Sequence, residues 1–204
     1  MRKRYAGPIP GLLLALVVAC GALGAGCKSE PLSRRIDPDV DDSLGGTGID
    51  SGDLRTVTAR MAGAILEIPG IAHATQPPTV ALEPVKNGTP FVIDTDIFLV
   101  RMRGLLNQNC RGRVKFLARE RLEAILKERK SKREGAFTTG EEKALLGADY
   151  FLTGELLSIS KARGGSRSDY ILYSFQLIDA EDSSIPWEGQ YEVKKEGKRG
   201  TLYR

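Results

Sequence analysis

Residues 150–194 constrain the fold more than any other part of the chain. Three runs, 150–161, 170–179 and 185–194, alternate apolar and polar side chains in the way half-buried strands do. Arg163-Gly164-Gly165-Ser166 separates the first pair and Glu181-Asp182-Ser183-Ser184 the second. Polar connections this short do not hold a crossover helix, so the three runs predict an antiparallel meander.

Helical and strand-like periods alternate upstream. Leu54, Val57, Met61, Ile65 and Ile68 recur at helical spacing behind Asp50 and Ser51, two residue types that cap helix starts. Pro69-Gly70 is expected to stop this helix. Residues 79–85 read as a strand, with Asn87-Gly88 turning the chain after it. Thr95 or Asp94 is expected to cap a second helix carrying Ile97, Val100, Leu105 and Leu106. Gly112 precedes a short strand at 114–117, and a third helix over 120–132 is expected to bury Leu122, Ile125 and Leu126. Thr139 and Glu142 form a capping-box pattern that predicts a short helix ending near Gly147. The first strand, second helix and second strand make one right-handed βαβ unit. The fold class that follows is α/β: a mixed β-sheet sandwiched with helices on one or both faces.

The N-terminus reads as an address. Arg2, Lys3 and Arg4 precede an uncharged, mostly apolar segment that runs to Gly26 and is centred on Leu12, Leu13, Leu14, Leu16, Val17 and Val18. This is the pattern of a secretory signal, and its apolar core is thin for a permanent membrane span. Leu23-Gly24-Ala25-Gly26-Cys27 resembles the lipobox of bacterial lipoproteins, although Gly24 stands where that pattern prefers Leu. Val17-Val18-Ala19-Cys20 also fits. Cys27 is the preferred lipidation site, because polar Lys28-Ser29-Glu30 follows it at once; Cys20 is the alternative. Several acyl chains on one cysteine would give stable anchoring. The lack of Asp directly after Cys27 implies, by resemblance to Gram-negative sorting, the outer membrane. Cys110 is the only cysteine in the body and reads as a buried thiol.

Residues 27–48 are rich in Pro, Asp, Ser and Gly and read as a flexible tether. Fully extended from Cys27 to Ser51 it would span roughly 80 Å. The chain is thus divided into a signal segment at 1–26, a tether at 27–48, a folded domain at 49–197 and a tail at 198–204.

Composition excludes more than it suggests. One His and three Cys are too few for a histidine-based triad or a four-ligand zinc site, so neither a metal nor another cofactor is expected. Aromatics at 6% argue against a stacking platform for single-stranded nucleic acid. The formal charge of +4 includes the three cations of the signal segment; without them 27 basic residues face 26 acidic ones. No general attraction to nucleic acid follows. Asp94 and Asp96 are explained by their place at a helix start, where acids meet unpaired N–H groups. His73 falls in a loop and Trp187 opens the last strand as a core aromatic. No nucleophile, base and oxyanion donor assemble, and an enzyme is not expected.

The charge run at 127–134 suits a solvated helix end, its cations complementing the C-terminal dipole. The sharper reading makes Arg129, Lys130, Lys132 and Arg133 a docking patch for an acidic partner.

Several segments in order resemble the LpoB-type lipoproteins, outer-membrane activators of penicillin-binding proteins. The resemblance lies in Ser51-Gly52-Asp53-Leu54, in Asn87-Gly88-Thr89 and Ile93-Asp94-Thr95-Asp96, and in Val114-Lys115-Phe116-Leu117. It continues in Gly147-Ala148-Asp149-Tyr150-Phe151-Leu152-Thr153-Gly154 and in Leu177-Ile178-Asp179 through Trp187-Glu188. The resemblance implies an α/β domain similar to the N-terminal domain of TolB and to CsgG. It also implies a non-enzymatic role: contact with a class A penicillin-binding protein, a bifunctional peptidoglycan synthase, on the periplasmic side of the outer membrane. The alternative is a CsgG-like lipoprotein of an envelope or secretion assembly.

Overall fold

The structure is a computed structural model and describes residues 33, 35–40, 45–138, 140, 141 and 143–198. The chain divides after Ile36, and every element below belongs to the unit starting at Asp37. The signal segment, Cys20 and Cys27 lie outside the described residues, as do Thr139, Glu142 and residues 199–204.

Helix α1 (Ser51–Glu67) starts where its sequence says it should. Asp50 Oδ1 accepts the Asp53 N–H at 2.9 Å and Asp53 Oδ2 accepts the Asp50 N–H at 3.2 Å, a reciprocal cap. Its inner face presents Val57, Met61 and Ile65, all buried. Pro69 ends α1 but also opens a four-residue turn, α2 (Pro69–Ala72), because its fixed φ suits a first helical position. Strand β1 (Thr79–Gly88) follows, then α3 (Asp96–Asn109), β2 (Lys115–Phe116), a 3₁₀ turn at Arg119–Arg121 and α4 (Leu122–Arg133). Strands β3 (Tyr150–Arg163), β4 (Ser166–Asp179) and β5 (Trp187–Lys198) complete the sheet, in the order β2-β1-β3-β4-β5.

The first three strands of that order are parallel and the last three antiparallel, a mixed sheet as expected. The path from β1 to β2 steps one way along the sheet, and the path from β2 to β3 steps back. Right-handed crossovers therefore assign α3 and α4 to opposite faces. Gly164 and Gly165, both at positive φ, close the β3–β4 hairpin in the two-residue turn whose twist matches its strands.

Along β4 the parity is clear: Ile171, Tyr173, Phe175 and Leu177 are buried on the helix side. They meet Leu152 and Leu156 of β3, Val80 and Val85 of β1, and the inner faces of α1 and α3. Cys110 is buried at the end of α3, in keeping with a structural thiol. Trp187 is half-buried against the same core. Among the described residues no helix is long and apolar enough to cross a membrane.

Several expectations need correction. Asn87-Gly88 does not turn the chain, since both residues pair with Leu156 and Leu157 of β3. Glycine is required at 88 by close approach: a Cβ there would lie 2.9 Å from the Leu156 carbonyl oxygen. Helix α3 buries Phe98, Leu99, Met102 and Leu106, and leaves Ile97 and Val100 exposed at 45% and 53%. Its apolar residues cover more than one face, so spacing alone did not identify the buried stripe. Thr95 stands at the N-cap but donates its hydroxyl to the Val85 carbonyl at 2.6 Å, and Asp94 Oδ1 accepts the Asp96 N–H at 3.1 Å. Helix α4 fully buries none of its residues, and Leu126 is 48% exposed. Residues 143–147 form no helix. Ordered contacts begin before Asp50: Asp39 accepts from Arg55 Nη2 at 2.6 Å, and the Pro38 carbonyl accepts from the Ser51 hydroxyl at 2.8 Å.

Candidate functional site

Two polar clusters hold the start of the domain to the meander. In the first, Lys195 Nζ on β5 donates to Asp50 Oδ2 at 2.5 Å, to Asp53 Oδ2 at 2.7 Å and to the Gly48 carbonyl at 3.0 Å. The Tyr173 hydroxyl donates to Asp53 Oδ2 at 3.2 Å. The same carboxylates that cap α1 therefore tie it to β4 and β5.

In the second cluster the Asp169 side chain on β4 is fully buried. It accepts from the Thr47 hydroxyl, the Ser160 hydroxyl and Arg167 Nε, the last at 2.6 Å. Arg167 also lies over the Phe91 ring at 5.6 Å. Thr47 is buried in its turn, which fixes where the chain enters the domain.

These clusters make stability depend on pH. Burial alone would raise the Asp169 pKa, but the bonds from Arg167, Ser160 and Thr47 outweigh it and hold the group below the ordinary carboxylate value. Asp50 follows the same balance, with burial opposed by Lys195 and by the Asp53 backbone. Burial would lower Lys195, and its bonds to Asp50 and Asp53 raise it instead. A carboxylate depressed in the folded state stabilises above its unfolded pKa and loses that contribution as pH falls through its folded value. The melting temperature should therefore fall progressively below about pH 5. Lys195, raised in the folded state, withdraws its contribution only in strong alkali, as pH rises through its folded value above about 10.4. Thermal melts followed by circular dichroism from pH 7 to pH 3 check this; a constant melting temperature would contradict it.

None of this polar work was singled out from sequence, yet a signal was present. Asp169 has the parity of Ile171, Tyr173, Phe175 and Leu177, and Lys195 that of Tyr191 and Val193. A charge at a core-facing strand position must find partners.

The candidate His and acids take separate places in the fold. His73 is exposed in the turn after α2. Asp94 serves the start of α3, and Asp96 Oδ1 accepts the Val85 N–H at 3.2 Å. Among the described residues no group of three or more His, Cys, Asp or Glu could hold a metal ion.

The surface offers contact features instead. Helix α4 and residues 140, 141 and 143–145 line a groove of about 330 Å³, with Ile125, Arg129, Lys132, Arg133, Lys143 and Leu145 among its walls. Three of the four cations singled out from sequence thus meet along one groove. Lys130 stays outside its lining and lies 3.8 Å from Glu134, while Lys132 lies 3.5 Å from Glu128. Exposed pairs of this kind contribute about 0.3–0.5 kcal/mol each, so they stabilise α4 only slightly. A second feature lies on the sheet face away from the core. Leu157 and Leu172 are cross-strand neighbours there, as are Ile159 and Tyr170, and Ile159 is 60% exposed.

The family model described as peptidoglycan-synthase activator LpoB matches residues 53–193, from the first turn of α1 to the middle of β5. The chain belongs to the LpoB family. Among solved structures it is similar to the LpoB C-terminal domain from Salmonella enterica, at 15% identity and a TM-score of 0.42, covering 70% of this chain and 99% of that one. The corresponding domain from Escherichia coli is also 15% identical, with a TM-score of 0.39 and coverages of 68% and 98%. The lipoprotein GNA1162 from Neisseria meningitidis is 10% identical, with a TM-score of 0.34 and coverages of 62% and 88%. No curated protein matches the sequence. The family is described as one of peptidoglycan-synthase activators.

Proposed function

We propose that this LpoB-family chain is a lipid-anchored, non-enzymatic activator of a class A penicillin-binding protein, working by protein–protein contact on the periplasmic side of the outer membrane. The family match over residues 53–193 supports this reading most directly, because it takes in α1, α3, α4 and four strands complete. In this reading residues 1–26 are the signal segment, Cys27 carries the acyl chains, with Cys20 as the alternative, and residues 49–197 act as the module, with 198–204 as a tail. A non-catalytic protein accelerates a synthase only by binding its active conformation more tightly than its inactive one.

The anchor limits the partner. Asp39 and Thr47 bond to the body of the domain, so the proposed tether is counted from Cys27 to Asp37. From Cys27 to Asp37 the chain extends roughly 35 Å at most. The synthase therefore has to present a segment close to the outer membrane.

Stimulation of glycan polymerisation by a purified class A penicillin-binding protein tests the function. The full chain should raise the rate; an unchanged rate at directly verified saturating binding would overturn activation. Mass spectrometry of the cell-extracted protein tests the anchor, which fails if neither Cys27 nor Cys20 is acylated.

The groove beside α4 is the proposed contact for an acidic segment of the synthase. Combined reversal of Arg129, Lys132 and Arg133 to Glu should weaken binding by about tenfold or more and steepen no salt dependence, since the rim attraction is removed. Unchanged affinity would take α4 out of the interface.

A further inference from the structure

Strand β5 closes one end of the sheet, and among the described residues its outer edge faces no other strand. It pairs with β4 in unbroken register from Trp187 opposite Leu177 to Lys198 opposite Ser166, without a bulge and without proline. Soluble proteins usually blunt an edge of this length with bulges, proline or a shortened strand. Here only its charges interrupt it, and they carry both signs: Glu188, Glu192 and Glu196 alternate with Gln190, Lys194 and Lys198 on the exposed face.

We propose that β5 pairs with β5 of a second copy of this chain, antiparallel about a two-fold axis at Val193, placing Glu192 opposite Lys194 and Glu188 opposite Lys198. The pleat restricts the choice, because opposed residues must share a face of the sheet. Moving the centre to Glu192 sets that carboxylate against its own copy and Glu188 against Glu196. Moving it to Lys194 opposes two ammonium groups and sets Glu192 against Glu196. Like charges directly opposite destabilise a strand pair, and opposite charges stabilise it.

The Val193 register also overlaps Glu188 through Lys198, almost the whole strand. On the helix side it puts Gly189 opposite Gly197. Met61 and Trp187 crowd the space over Gly189, so glycine is required there, while Thr47 lies in ordinary contact with Gly197. In the single chain Lys194 lies 3.5 Å from Glu196, with both side chains well exposed, so its ammonium changes partner with little desolvation. The pairing is isologous and closes at two copies. It does not depend on the identity of the synthase.

The full chain in detergent, examined by sedimentation equilibrium and non-reducing electrophoresis, tests the proposal. The parent should form a dimer. Val193→Cys should add an intermolecular disulfide above the parent's background, because opposed residues in antiparallel strands meet disulfide spacing. Lys194→Glu should weaken dimerisation by about tenfold or more, and Glu192→Lys with Lys194→Glu should restore it. Circular dichroism confirms that each variant is folded. A monomer at all concentrations overturns the proposal. So does a larger ring, or a dimer that is indifferent to Lys194→Glu and does not cross-link at 193.

Discussion

Phe98→Ala should destabilise the domain by about 4 kcal/mol. Phe98 is fully buried on α3 and is one of the side chains through which that helix joins the core. Its ring centroid lies 5.6 Å from that of Tyr173 and 5.9 Å from that of Phe175, both fully buried on β4. Removing the ring forfeits its transfer free energy, two aromatic contacts and the packing around the space it leaves. Relief by collapse is limited, because α1 holds the other side of α3: Arg101 Nε on α3 donates to the Thr58 hydroxyl on α1 at 3.1 Å. Urea unfolding should show a lower midpoint with an unchanged slope. A loss below about 1 kcal/mol would mean that α3 does not depend on this contact.

Asp169→Ala should cost about 3 kcal/mol, close behind. The substitution removes an acceptor shared by Thr47, Ser160 and Arg167 and leaves a guanidinium that is largely buried without the carboxylate it faces. Asp169→Asn keeps the shape and an acceptor while losing the charge, so it should cost roughly half as much. The two variants separate charge from hydrogen bonding. Because Thr47 is the first buried residue among those described, Asp169→Ala should also free the chain before α1. Limited proteolysis at residues 45–48 should then be faster than in the parent. An unaltered cleavage rate, together with unaltered stability, would show that Asp169 does not hold this segment.

The readable parts of the fold share a property. Helix α1 and the β3–β5 meander each follow a dominant apolar period, 3.6 or 2, so spacing along the chain reports which side meets the core. The Asp50 cap was readable because capping is a local hydrogen bond, between residues three apart. The lipidation proposed at Cys27, with Cys20 as the alternative, likewise rests on a local pattern of residues. The α4 cations were visible as a run, but the groove that collects Arg129, Lys132 and Arg133 depends on residues 140, 141 and 143–145 lying beside the helix.

Sequence by itself determined the order and type of most elements, the antiparallel meander, the α/β class and the family resemblance. Those features follow from local period, caps and turn residues. Tertiary structure alone decided which stripe of α3 is inside, that Gly88 continues a strand, that β1 lies between β2 and β3, and that Asp169 and Lys195 are buried in polar clusters. Each of these depends on partners distant in sequence, such as Thr47 with Asp169, 122 positions apart. No local period encodes such a contact, because its free energy exists only once both ends have been brought together.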